Sequence, residues 1–109
     1  MTIIIPEKDW KYLRSIEKEL LSNLCRNINQ SAMAILRSEC GSEHDRYLKL
    51  YKHINTSDRI KADCFNDWRR SNLCLKLLLL QKHNLLAAEH IAKLSDETRE
   101  LLNRFTEDR

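Results

Sequence analysis

The sequence has 109 residues and a mass of 13.0 kDa, which suits one domain and leaves no room for a second independent core. Leucine and isoleucine dominate its apolar residues, valine is absent, and there is one glycine and one proline, a composition that disfavours a β-sheet. The net charge of +3 is too small to require a polyanionic partner. We therefore predict a single all-α domain over residues 1–109.

The first predicted helix is unusually long. Pro6 suits the first turn of a helix, and Glu7 and Asp9 suit the positive end of its dipole. Apolar residues then recur three or four positions apart, and Gly41 is placed where a left-handed C-terminal cap would stop the helix. The pattern predicts a helix over residues 7–38, roughly 48 Å long at about 1.5 Å per residue. Such a helix overhangs a compact domain of this size, so we expect it to pack against a second copy of the chain.

The rest of the chain predicts a bundle over residues 43–105. A short second helix covers residues 43–54, and a cluster of capping residues at 55–58 predicts the start of a third helix that runs to about residue 83. Residues 73–80 are apolar nearly all round, which indicates a central or interface helix. A fourth helix over residues 87–94 and a fifth that begins at the Ser95 cap and ends near Phe105 complete the bundle of four to five helices.

The apolar stripes of these helices predict the core and a homodimer interface. The interface is expected on the long first helix or on residues 73–80, and the sequence leaves both open. Trp68 is either a core residue or an exposed anchor, and its place on the stripe from Cys64 to Leu75 favours the core. The residues expected in the core or the dimer interface are Trp10, Leu13, Leu20, Leu24, Trp68, Leu75, Leu78 and Leu79.

Aromatic and basic residues are concentrated in the middle of the chain. Residues 41–83 contain nine Lys or Arg and five Asp or Glu, and aromatic and arginine side chains are the favoured anchors of protein interfaces. The predicted partner-binding residues are Tyr47, Lys49, Tyr51, Lys52, Arg59, Arg69 and Arg70. The same basic segment supports the alternative of a nucleic-acid-associated regulator. A helix-turn-helix over residues 86–105 is disfavoured, because its second helix would begin with acidic residues that repel phosphates.

The sequence carries no strong catalytic or cofactor motif. It has no glycine-rich loop for a phosphate and no CxxC or HExxH spacing, so we expect a non-enzymatic protein without a metal or cofactor. The cysteines lack paired spacing and are expected to be free thiols. Neither a signal peptide nor an apolar run of about 20 residues is evident, so we expect a cytoplasmic protein that does not associate with membranes.

Several short segments between residues 44 and 102 resemble a known family. They are residues 48–50, 59–63, 65–71, 80–82, 85–89 and 94–97. Their order is similar to that of the fluorescence recovery protein family, small helical dimers that bind orange carotenoid protein and speed its return to the resting state. The resemblance implies a homodimer that regulates a protein partner. The Trp, His and Asp of the family's active stretch fall on Leu48, Tyr51 and Lys52, and its Arg is kept as Arg59 with a shift of one residue, so we expect a different, unidentified protein partner.

Overall fold

The computed structural model describes residues 5–107, and in this range it contains α-helices and one 3-10 helix but no strand. The prediction of an all-α fold is confirmed. The helices are α1 Glu7–Arg37, α2 Glu43–Phe65, α3 Leu73–Lys82, α4 Ala88–Ala92 and α5 Asp96–Glu107, with the 3-10 helix Arg70–Asn72 between α2 and α3. No helix in the described part of the chain is long and apolar enough to cross a membrane.

The first helix ends one residue before its predicted end. Ser38 caps it in an extended conformation, and its amide donates to the carbonyl oxygens of Ala34 and Ile35. Gly41 does adopt a left-handed conformation, with φ of 83°, but it lies in the connection to α2 and does not cap α1. A Cβ atom at this position would lie 2.8 Å from Oδ2 of Asp45, so this turn requires glycine.

The predicted boundary between the second and third helices is wrong. α2 continues through residues 55–58, because Ser57 is buried in the packed part of the helix and tertiary packing outweighs a local capping preference. The break comes at Asp67, whose φ of 59° is incompatible with a right-handed helix. The Asn72 side chain stabilises this turn, since Oδ1 accepts from the Arg69 amide at 3.0 Å and Nδ2 donates to the Asp67 carbonyl at 2.8 Å.

The core lies at one end of the long helices and has α3 at its centre. Leu73 and Leu77 pack with Leu13 in one cluster, while Leu80 packs with Leu20 and Leu24 in the other. Four more of the residues expected in the core or interface are half-buried and pack against these clusters: Trp10, Trp68, Leu78 and Leu79. We call this part of the chain, residues 5–24 and 57–105, the head.

Leu75 does not belong to the core of the chain. Its side chain is 57% exposed, because two residues along a helix correspond to a rotation of about 200°, which turns Leu75 away from Leu73. The sequence suggested a core position because residues 73–80 are nearly all apolar. In such a segment, the periodicity does not identify the side that faces solvent.

The other end of the long helices projects from the head as a helical hairpin. Residues 25–56, all of which the structure describes, contain no buried residue; we call this hairpin the arm. The chain measures 51 × 29 × 25 Å, with a radius of gyration of 16.7 Å, whereas a compact chain of this length would have about 13 Å. The expectation that the first helix overhangs its domain is therefore confirmed.

Candidate interaction surfaces

Exposed apolar side chains are concentrated on the arm. Among the described residues, six of the eight large hydrophobic residues that are strongly exposed lie there, and Leu75 and Phe105 are the other two. On α2, Tyr47 and Tyr51 are each 60% exposed and Ile54 is 41% exposed. Their spacing of four and three residues places them on one side of the helix. This side is a continuous apolar stripe about two turns long.

The exposed residues of the two arm helices lie on the same side of the hairpin. On α1, Leu36 is 55% exposed and directly follows the half-buried Ile35. On α2, Ile54 directly follows His53, whose Nε2 donates to the Ile28 carbonyl across the hairpin at 3.0 Å. One residue step turns a helix by about 100° in the same sense. Because α1 and α2 are antiparallel, this rotation brings both exposed residues to the same side. We define the arm face as Leu36, Tyr47, Tyr51 and Ile54.

The turn of the arm is fixed by side-chain hydrogen bonds to the backbone. Arg46 Nη1 donates to the carbonyl oxygens of Ser38 and Gly41 at 3.1 and 3.2 Å. Ser42 and Asp45 form a capping box at the start of α2. The backbone hydrogen bond from Ser42 lowers the pKa of the Asp45 carboxyl below its ordinary value of 3.8, with a further contribution from the Ser42 side chain. These bonds fix the turn between α1 and α2, the two helices that carry the arm face.

The basic residues predicted as partner contacts lie on a different side of α2. Lys52 follows Tyr51 by about 100° of rotation, and Arg59 lies seven residues after Lys52, on the same side of the helix. Lys49 is turned further from the arm face, and all three side chains are exposed. The structure therefore divides the predicted surface into an aromatic part and a basic part.

The two arginines after α2 both make contacts with neighbouring groups in the fold. Arg69 Nη2 pairs with Asp67 Oδ2 at 2.7 Å, and both side chains are largely exposed. Arg70 Nε donates to the Ile5 carbonyl at 3.0 Å, which ties the chain segment before α1 to the 3-10 helix. Arg69 and Arg70 therefore belong to the head, whereas Lys49 and Lys52 lie on the arm.

Trp68 closes the turn between α2 and α3. Its ring stacks on Phe65 with a centroid distance of 6.1 Å and an interplanar angle of 6°. Its Nε1 donates to the Cys64 carbonyl at 2.6 Å, and the side chain packs against both core clusters. The ring is half-buried and connects the end of α2 to the head.

The described residues contain no group of three His, Cys, Asp or Glu side chains that could hold a metal ion. All four cysteines are free, with Cys64 buried and Cys40 exposed. Burial raises the pKa of the Cys64 thiol, and the nearby Asp63 carboxylate raises it further. Burial also raises the pKa of Cys74. The Cys64 and Cys74 thiols are therefore protonated at neutral pH and poor nucleophiles.

Sequence reasoning missed two polar contacts that join α1 to the C-terminal part of the head. Asp9 is fully buried and accepts hydrogen bonds from Ser95 and Thr98 at the start of α5. His90 is also buried and contacts Glu19 of α1. The sequence did indicate Ser95 as a helix cap. Its partner, Asp9, lies 86 residues away in the sequence, and no local pattern identifies it.

Comparison with known proteins gave no relative: no protein-family model matches the sequence, and neither a curated protein nor a solved structure matches the chain.

Proposed function

We propose that this protein is a non-enzymatic interaction module that forms a homodimer through the arm face and regulates a protein partner. The observation that supports the dimer most directly is the exposure of Leu36, Tyr47, Tyr51 and Ile54 on one side of the arm, which has no buried residue of its own. Apolar patches of this kind on small proteins mark interaction sites.

A second copy of the chain is the occupant that best fits the arm face. Two hairpins that pack through the same face form a four-helix arrangement with a shared apolar core, which supplies the core that each arm lacks. A twofold axis makes the same four residues contribute from both sides, as in most homodimers. Residues 73–80 are the weaker candidate, because Leu73, Leu77 and Leu80 are already buried within one chain.

The basic side of α2 is the proposed surface for the protein partner. Lys49, Lys52 and Arg59 stay exposed when the arm face is covered, and among the described residues no carboxylate lies within salt-bridge distance of them. Leu48 is 47% exposed on the same half of the helix. Cations around an exposed apolar residue suit an acidic protein surface with an apolar contact point.

The dimer is tested by light scattering on the size-exclusion peak of wild type and two variants. We expect wild type at micromolar concentration to have twice the chain mass of 13.0 kDa. Tyr51→Glu places a charge in the arm face and should give a monomer with unchanged helicity. Lys52→Glu, one residue further along α2 and off the arm face, is the matched control and should remain a dimer. A wild-type mass of one chain would refute the proposal.

Nucleic-acid binding is the alternative function for the basic side of α2. Phosphate contacts make affinity fall steeply with salt, whereas an interface with an apolar centre is less sensitive. Binding of the wild-type chain to a DNA duplex of arbitrary sequence is the direct measurement. Micromolar affinity that Lys52→Glu and Arg59→Glu both weaken would favour the alternative. This outcome would not bear on the proposed dimer through the arm face.

A further inference from the structure

The side of the hairpin that carries the arm face stays exposed where the hairpin enters the head. Lys18 lies eighteen residues before Leu36, or five full turns, and therefore on the same side of α1. Lys61 lies seven residues after Ile54, or nearly two turns, and both lysines are exposed. Leu20 is fully buried, and sixteen residues place it about 160° from Leu36. The core cluster that contains Leu20 therefore packs on the opposite side of the hairpin.

The exposed residues of α2 on this side are arranged symmetrically about Tyr51. Tyr47 lies four residues before Tyr51, and Ile54 lies three residues after it. His44 lies seven residues before Tyr51, and Asp58 lies seven residues after it. Steps of three, four and seven residues keep these side chains on one side of the helix, and all five are exposed. The apolar centre is thus flanked by a histidine at one end and a carboxylate at the other.

The two ends of this side also carry opposite charges. Glu43, at the tip of the arm, lies four residues before Tyr47; its side chain is 92% exposed and pairs with Arg46 of its own chain. Lys61 lies at the other end, and among the described residues no carboxylate is within salt-bridge distance of it. Glu43 lies eight residues before Tyr51, and Lys61 lies ten residues after it. A copy of α2 reversed about Tyr51 therefore has its Glu43 within about 3 Å of the level of Lys61 along the helix.

We propose that two copies of the chain pair through this side with their arms antiparallel, on a twofold axis that passes near Tyr51. The inference rests on the proposed dimer, and it adds the direction of the arms and a second set of contacts. Tyr47 of each copy packs against Ile54 of the second copy, and His44 faces Asp58. The tip of each arm, with Glu43, lies beside the basic end of the second copy.

The parallel arrangement of the arms would bring like charges together. Its twofold axis runs along the arms, so α1 of one copy packs on α2 of the other and the two heads lie at the same end. Lys18 of each copy then faces Lys61 of the second copy, and like charges across an interface disfavour that arrangement. In the antiparallel arrangement, Lys61 lies beside Glu43, and the heads lie at opposite ends of the dimer.

A distance between the two arm tips measures the direction of the arms. The exposed Cys40 is spin-labelled in the full chain, labelling at this site is confirmed by peptide mapping, and the distance is read by pulsed EPR. Eleven residues separate Cys40 from Tyr51, so antiparallel arms hold the two labels about 33 Å apart along the arms. We expect a distance between about 30 and 45 Å, which adds the lateral separation and the labels.

The same measurement separates this inference from the proposed dimer. Parallel arms bring the two tips within about 20 Å, one distance between helices plus the labels. A distance outside the expected range in a protein of twice the chain mass would overturn the antiparallel arrangement and leave the proposed dimer standing. A mass of one chain without dipolar coupling would overturn both.

A charge exchange tests the contact at the tip. Glu43→Lys and Lys61→Glu each place like charges together twice in the dimer, and each should raise the dimer dissociation constant about tenfold in analytical ultracentrifugation. The double variant restores opposite charges and should return the constant to within about threefold of wild type. Lys49→Glu, at an exposed lysine off the arm face, is the control and should change it by less than about twofold.

Recovery in the double variant is the decisive result for this contact. The double variant still lacks the Glu43–Arg46 pair within one chain, so loss of that pair cannot produce a recovery. A double variant that dimerises as weakly as Glu43→Lys would overturn the contact between Glu43 and Lys61.

Discussion

The carboxylate of Asp9 in the first turn of α1 caps the N-terminus of α5 by accepting hydrogen bonds from Ser95. One oxygen accepts from the Ser95 amide at 3.0 Å and the other from its hydroxyl at 2.7 Å. The hydroxyl of Thr98 donates to the same carboxylate, and the Asp9 side chain is fully buried. The negative charge also lies at the positive end of the α5 dipole. One carboxylate thus joins the start of the chain to its last helix.

Replacing Asp9 should destabilise the head strongly. Asp9→Ala leaves the Ser95 amide and the Thr98 hydroxyl without their buried acceptor, and we expect a loss of about 1.5–3 kcal/mol in the free energy of unfolding, measured by urea denaturation. Glu97→Gln is the matched control, because Glu97 is an exposed acid in the first turn of the same helix. It should cost no more than about 0.5 kcal/mol. Equal effects of the two variants would contradict the role of Asp9.

Trp68 is expected to contribute to stability more than its partial exposure suggests. Trp68→Ala removes the stacking on Phe65, the packing against both clusters and the hydrogen bond to the Cys64 carbonyl. We expect a cost of about 3 kcal/mol in chemical denaturation, the lower end of the range for a buried tryptophan. Trp68→Phe keeps a ring but loses the hydrogen bond and should cost about 1 kcal/mol.

An exposed leucine on the next helix is the control for Trp68. Leu75→Ala should change the free energy of unfolding by less than about 0.5 kcal/mol, because the Leu75 side chain is largely exposed. A cost for Leu75→Ala as large as that for Trp68→Ala would show that residues 73–80 are covered in solution, and would favour the second candidate for the dimer interface.

The start of α2 should lose stability in acid. The pKa of Asp45 is lowered in the folded chain by its hydrogen bonds to Ser42. Its stabilising effect is therefore complete above the unfolded value and is lost as the pH falls through the folded value, below 3.8. An NMR titration of the Asp45 side-chain carboxyl should give a midpoint below 3.8. Ser42→Ala keeps the backbone donor and removes the hydroxyl, so the midpoint should rise by only part of the shift. An unchanged midpoint would contradict the contribution of the Ser42 side chain.

The four thiols should react in the order of their exposure. Iodoacetamide, followed by mass spectrometry at neutral pH, should modify the exposed Cys40 first and the buried Cys64 last, because Cys64 is inaccessible and its raised pKa keeps it protonated. Unfolded, unreduced protein should titrate as four thiols. Cys64→Ser should destabilise the chain, since it places a hydroxyl in an apolar site. Faster modification of Cys64 than of Cys40 would contradict the packing of α2 against the head.

Local patterns in the sequence determined the all-α fold, the extent of α1 and the start of α5. They are properties of neighbouring residues: an apolar period of three to four, a proline before α1 with acids in its first turn, and Ser95 and Asp96 at the start of α5. Capping residues can satisfy backbone amides wherever the chain runs, which makes these features readable without a structure. The overhang of the first helix also follows from its length alone.

Other features depended on contacts between distant residues. The capping cluster at 55–58 is not a helix boundary, because Ser57 is buried in the packed part of α2. The helix ends instead at Phe65, before the left-handed Asp67. The buried acceptor for Ser95 is Asp9, and the buried partner of Glu19 is His90, and no local pattern links residues so far apart. The division of the predicted surface into an arm face and a basic side was likewise decided by the antiparallel packing of α1 on α2. That packing fixes which side of each helix is covered, and the sequence period alone leaves this side undetermined.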